Sequence, residues 1–87
     1  MYMAKVVGSI VATKKEESLT GKKLMIVQPI NSKQQPIRDE EVAADFVGAG
    51  MGEYVLVARG SSARVIFEQP NTSIDAAIIG IIDSFDT

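Results

Sequence analysis

Residues 47–64 read Val47-Gly48-Ala49-Gly50-Met51-Gly52-Glu53-Tyr54-Val55-Leu56-Val57-Ala58-Arg59-Gly60-Ser61-Ser62-Ala63-Arg64. The middle of this stretch, residues 54–59, is rich in strand formers and has strand length. Two loops of glycine, alanine and serine bracket it, one at each end of the strand. Small side chains let backbone approach backbone, or let backbone line a narrow opening. The first loop is not a dinucleotide fingerprint, which needs G-x-G-x-x-G opening a helix. Here the third glycine comes one residue early and a strand follows.

Working outward, residues 4–13 carry Val6, Val7, Ile10, Val11 and Thr13, which reads as a first strand. Gly8 interrupts it and predicts a bulge or a close backbone approach. Residues 23–30 form a second strand, with Leu24, Ile26 and Gln28 alternating against Met25, Val27 and Pro29. Pro29 has no N–H, so that end is expected at a sheet edge or outside the pairing. Residues 31–41, with Pro36 at their centre, read as a surface loop. Residues 41–47 alternate Val42, Ala44 and Phe46 against Ala43, Asp45 and Val47, giving a third strand.

On the C-terminal side, residues 64–68 fit a strand end or one helical turn, and residues 70–73 a loop. Residues 75–83 read as a last strand, with Ile78, Gly80 and Ile82 opposite Ala77, Ile79 and Ile81. Both of its faces are apolar. A small barrel has one inside and one outside, so one face of this strand is expected against another subunit. No stretch has a 3.6-residue period long enough for a major helix. The expectation is a single all-β domain over residues 1–87: a small five-stranded barrel with at most a short helix.

Composition narrows the chemistry. A chain of 87 residues has a marginal core of its own, and small domains add stability with disulfides, metals or partners. There is no cysteine and no histidine, which excludes disulfides and thiolate sites and removes the commonest metal ligand and general base. Oligomerisation is the route left. Ser61 and Ser62 lack a base to activate them, and Asp39-Glu40-Glu41 read as solvated carboxylates beside a polar loop. Oligonucleotide-binding barrels use aromatic platforms and a basic groove. Five aromatic residues and a net charge of −2 supply neither. No signal peptide or membrane span is visible, so a cytoplasmic protein is expected, without cofactor, metal, nucleic acid or membrane partner and without enzymatic activity.

Read together and in order, several segments resemble the pentameric vertex proteins of bacterial microcompartment shells, the EutN/CcmL family. They are Ala4-Lys5-Val6-Val7-Gly8, Val11-Ala12-Thr13-Lys14, Leu19-Thr20-Gly21-Lys22-Lys23-Leu24, Val42-Ala43-Ala44-Asp45, the two small-residue loops, and residues 74–83. The short tail and Pro70-Asn71 look most like the propanediol-utilisation members. The resemblance implies an oligonucleotide-binding-like barrel assembled as a cyclic pentamer. Such pentamers close the fivefold vertices of a shell otherwise tiled by hexameric proteins, in the bacterial cytoplasm. The alternative reading is a small barrel of this type that binds a ligand or single-stranded nucleic acid.

In a ring of five, copies of one loop converge on the axis, where only small side chains fit. Gly60, Ser61, Ser62 and Ala63 suit that place, with serine hydroxyls to line a polar pore. Gly48, Ala49, Gly50, Gly52, Glu53, Arg64, Ile79 and Ile81 are the expected subunit-interface residues. Asp45, Glu53 and Arg64 are candidates either for interface ion pairs or for anchoring the loops through backbone hydrogen bonds. Phe85 is the one large residue left in the tail to reach a neighbour.

Overall fold

A computed structural model describes residues 1–13, 21–60 and 75–86. Within them lie five strands: β1 (Tyr2–Ile10), β2 (Lys23–Ile30), β3 (Glu41–Asp45), β4 (Tyr54–Arg59) and β5 (Ala76–Ile81). They close into a barrel in the order β1-β2-β3-β5-β4, with β1 pairing β4 to complete the ring. All contacts are antiparallel except the short β3–β5 pairing, which is parallel. This is the strand order and sense of an oligonucleotide-binding-like barrel, as the sequence led one to expect. No helix occurs among the described residues, and the helical turn allowed at residues 64–68 lies outside them.

The interior is built from one alternation set on each strand. Ala4 and Val6, Met25 and Val27, Ala43, Val55 and Val57, and Ala76 and Ile78 form one buried cluster. Alanine contributes three of these positions because the lumen of a five-stranded barrel is narrow. β1 supplies edges to both β2 and β4, and it bends to do so. Its register with β2 slips between Val6 and Gly8, so Val7 is the extra residue of the bulge anticipated at Gly8.

Two expectations need correction. Pro29 is not outside the pairing: it sits opposite Ala4 in the β1–β2 ladder and is fully buried. Its missing N–H costs nothing because it faces away from β1, past Val27, where pairing with β3 has ended. The Pro29 carbonyl on that same flank accepts from the Ile37 N–H at 3.2 Å. In β5 the simple alternation fails. Gly80 pairs with Leu56 but Ile78 with Val57, so Ile79 is an extra residue. Ile81 thereby pairs with the core residue Val55 instead of sharing the outward side with Ala77, although at the strand end it remains 39% exposed.

Candidate functional site

The glycine loop between β3 and β4 folds back over one mouth of the barrel and is fixed at both ends. At its start, Asp45 Oδ1 accepts from the N–H groups of Val47, Gly48 and Ala49, each at 3.1 Å, and Oδ2 accepts from Ala49 at 2.9 Å. The Asp45 side chain is only 2% exposed, with the Lys23 ammonium 3.9 Å away. At its end, Glu53 Oε1 accepts from the Gly50 N–H at 2.5 Å. The backbone then ties the loop to β1: Gly52 N–H donates to the Val6 carbonyl at 2.8 Å, and Val6 N–H to the Glu53 carbonyl at 2.9 Å.

The chain must turn twice to do this. Gly48 and Gly52 take φ of 77° and 82°, in the left-handed region that side chains disfavour. The result drives Ala49 into the barrel, where it is fully buried as part of the core. Asp45 and Glu53 thus anchor the loop through backbone hydrogen bonds within their own chain. Ala49 has no surface left to offer a neighbour, so its place among the expected interface residues is corrected to a core plug. The loop's outward residues are apolar: Phe46 is 54%, Val47 37% and Met51 63% exposed.

The other mouth is closed by a polar cluster that sequence reasoning missed. Register places Glu41 opposite Val27 and Tyr2 opposite Val57, so both start from the inner side. The Tyr2 hydroxyl donates to Glu41 Oε2, Arg38 Nε donates to Oε1 at 3.2 Å, and Arg59 Nη1 donates to the same oxygen at 3.0 Å. The Arg38 guanidinium also lies 4.5 Å from the Tyr2 ring centroid. Burial pushes the Glu41 carboxyl up, but its hydrogen bonds from Tyr2 and Arg38 and the charges of both arginines prevail, holding it below its ordinary value. Burial, then the hydrogen bond to Glu41 and its charge, drive the Tyr2 phenol well above its usual range. Glu41 is therefore not the solvated carboxylate expected of it, whereas Asp39 and Glu40 are exposed.

Arg59 leads directly into the second small-residue loop. Gly60 N–H donates to the Asp75 carbonyl at 2.8 Å, which closes the base of that connection. Ser61, Ser62, Ala63 and Arg64 lie outside the described residues. Ile79 and Ile81 sit at the far end of β5, toward the glycine loop. The tail turns back on its own chain: Ile82 N–H donates to the Tyr54 carbonyl at 2.8 Å, and the Phe85 ring meets Tyr54 edge-on at 5.3 Å. The structure thus brings Gly48, Gly50, Gly52 and Glu53 together at one mouth and sets Gly60 at the other.

Among the described residues no group of three acidic side chains is placed to hold a metal. What the arrangement offers is rigid surface.

Comparison with known proteins identifies that surface's context. The family model described as ethanolamine utilisation protein EutN/carboxysome matches residues 1–83. The bacterial microcompartment shell vertex protein PduN of Salmonella typhimurium is 47% identical, over 97% of each chain. The carboxysome shell vertex protein CcmL of a Synechocystis species is 50% identical, over 97% of this chain and 84% of its own length. The solved GrpN pentameric microcompartment shell protein of Rhodospirillum rubrum superposes with a TM-score of 0.88 at 46% identity, covering 100% of this chain and 98% of that one. The role these names carry is structural, not catalytic. The chain belongs to the EutN/CcmL family of shell vertex proteins.

Proposed function

We propose that this protein forms a cyclic homopentamer that caps the fivefold vertices of a bacterial microcompartment shell, beside hexameric shell proteins that tile the facets. The observation that carries the reading is the likeness to a solved pentameric shell protein over all of this chain and 98% of that one. The molecule's own physics agrees. A small barrel with an alanine-rich lumen buries little large apolar surface, and subunit contacts supply what the core lacks. In the ring, Gly60, Ser61, Ser62 and Ala63 line the axis, and Arg64 joins the subunit boundary. Gly48, Gly50, Gly52, Glu53, Ile79 and Ile81 stand toward subunit boundaries.

The nucleic-acid alternative has less behind it. The outer face of β2 and β3 presents Ile26 and Val42 where an oligonucleotide-binding surface would stack bases on aromatic rings beside basic side chains. Native mass spectrometry of the purified protein tests the proposal. A five-subunit species is expected, and a stable monomer at micromolar concentration overturns it.

A further inference from the structure

The register of the barrel creates two rows of outward residues with the same construction. In the first, Gly8 on β1 pairs with Ile26 on β2, and Ile26 pairs with Val42 on β3. In the second, Met3 on β1 pairs with Leu56 on β4, and Leu56 pairs with Gly80 on β5. Their neighbours along each strand, among them Val27, Ala43, Ala4 and Val55, are core residues, so both rows point out of the barrel.

Each row puts a long aliphatic side chain in the middle and a glycine on one flank. The aliphatic chain lies flat across that glycine. A Cβ added to Gly8 would come 3.2 Å from the Ile26 Cδ1, and one added to Gly80 would come 3.5 Å from the Leu56 Cδ1. The outcome is two rows without a charged side chain, with Lys5 on β1 lying between them. They are centred on β2 and β4, which are not adjacent in the barrel order. A two-fold dimer uses one patch that matches itself, whereas a head-to-tail ring needs two different patches on different sides of each subunit. Apolar side chains without charge are also the composition of an interface centre.

We infer that the Gly8–Ile26–Val42 row of one subunit docks on the Met3–Leu56–Gly80 row of the next copy of this chain. The inference rests on the ring proposed above and names the two surfaces that build it. Its occupant is a second copy because the chain carries both halves of a head-to-tail contact, and because a solved relative that it matches over 98% of that chain is pentameric.

The test uses Val42→Lys in the first row and Leu56→Lys in the second, with Met3→Lys as the alternative should Leu56→Lys lose the wild-type far-UV spectrum. Lysine is an unpaired charge at an apolar contact and weakens each contact by about tenfold or more. In native mass spectrometry each variant alone is expected to lose the ring, since every contact in it has one spoiled half. Mixed together they are expected to form a one-to-one heterodimer and stop there, because each variant keeps the half that the other lacks. A folded variant that still forms the wild-type ring, or a mixture that forms no heterodimer, overturns the inference. A variant that keeps its ring but no longer joins hexameric shell protein also overturns it, assigning the patch to the facet partner instead. If the wild-type protein itself forms no ring, it is the proposed vertex function that fails, which keeps the two readings separable.

Discussion

Asp45 holds Ala49 with both of its carboxylate oxygens, at 2.9 and 3.1 Å, and so sets a core methyl from a side chain at the end of β3. One acidic residue satisfies three successive backbone N–H groups and closes a barrel mouth. Asp45→Ala would leave those donors partly buried and unpaired, at a cost of about 2 kcal/mol. For a domain of this size that lowers Tm on the order of 10 °C at fixed protein concentration. Asp45→Asn keeps one acceptor oxygen and turns an amide donor toward the loop, so its melting temperature is expected between wild type and alanine. A thermal melt in which Asp45→Ala matches wild type would remove this anchor from the account.

The opposite mouth gives a pH dependence with a defined sign. Glu41 is held below its ordinary value of 4.5, so the folded state favours its charged form more than the unfolded state does. That stabilisation is fully present above the unfolded pKa and is lost as pH falls through the folded one. Melting temperature is therefore expected to be insensitive to this group from pH 7 down to about pH 5, then to decline through more acidic solution. Glu41→Gln should cost about 1–2 kcal/mol at neutral pH and flatten the acid limb. Tyr2→Phe keeps the ring beneath Arg38 and loses only the hydroxyl donor, so a loss of about 1 kcal/mol is expected. Parallel acid melts of wild type and Glu41→Gln would show the error.

How much of this was legible in the chain varies by element. The bounds of the second and fourth strands were readable to the residue, because turn residues flank their runs of strand formers. β5 was readable as a strand but not in its facing, because an extra residue at Ile79 leaves no mark in an all-apolar run. Pro29 misled because a proline's tolerance depends on which flank its nitrogen faces, and flank is set by the partner strands. The glycine loop was visible as small residues. That it carries Ala49 inward depends on Asp45, which the sequence offered either as a loop anchor or as an interface ion pair, and which the fold makes an anchor. The Tyr2–Glu41–Arg59 cluster was hidden altogether. Its members are 39 and 18 residues apart, and closure of the barrel alone brings them together.

The glycines separate by what confines them, and paired substitutions should show it. Gly52 has a φ of 82° with nothing within 4 Å of an added Cβ, so Gly52→Ala is strained by backbone conformation alone, at about 1 kcal/mol. Gly80 has no such φ, and an added methyl meets Leu56 at ordinary contact distance, so Gly80→Ala should change the barrel's stability by less than about 0.5 kcal/mol. Denaturant unfolding at one protein concentration ranks the two. The reverse order would mean that the loop does not need its left-handed turns.

The last expectation concerns the ring axis. Arg59 is fixed on Glu41, and Gly60 is tied to Asp75, so the chain is held in place as far as Gly60. If five copies of Gly60-Ser61-Ser62-Ala63 meet around an axis, a large side chain there has no room, because each subunit's copy is crowded by two others. A clash repeated five times acts on assembly and leaves the isolated barrel alone. Ser62→Trp is therefore expected to keep the far-UV spectrum while reducing the five-subunit species about tenfold or more in native mass spectrometry. Ser62→Ala, which is smaller, should assemble as wild type does. A tryptophan variant that forms intact rings would place this loop away from the axis, and the pore would then have to be built from other residues.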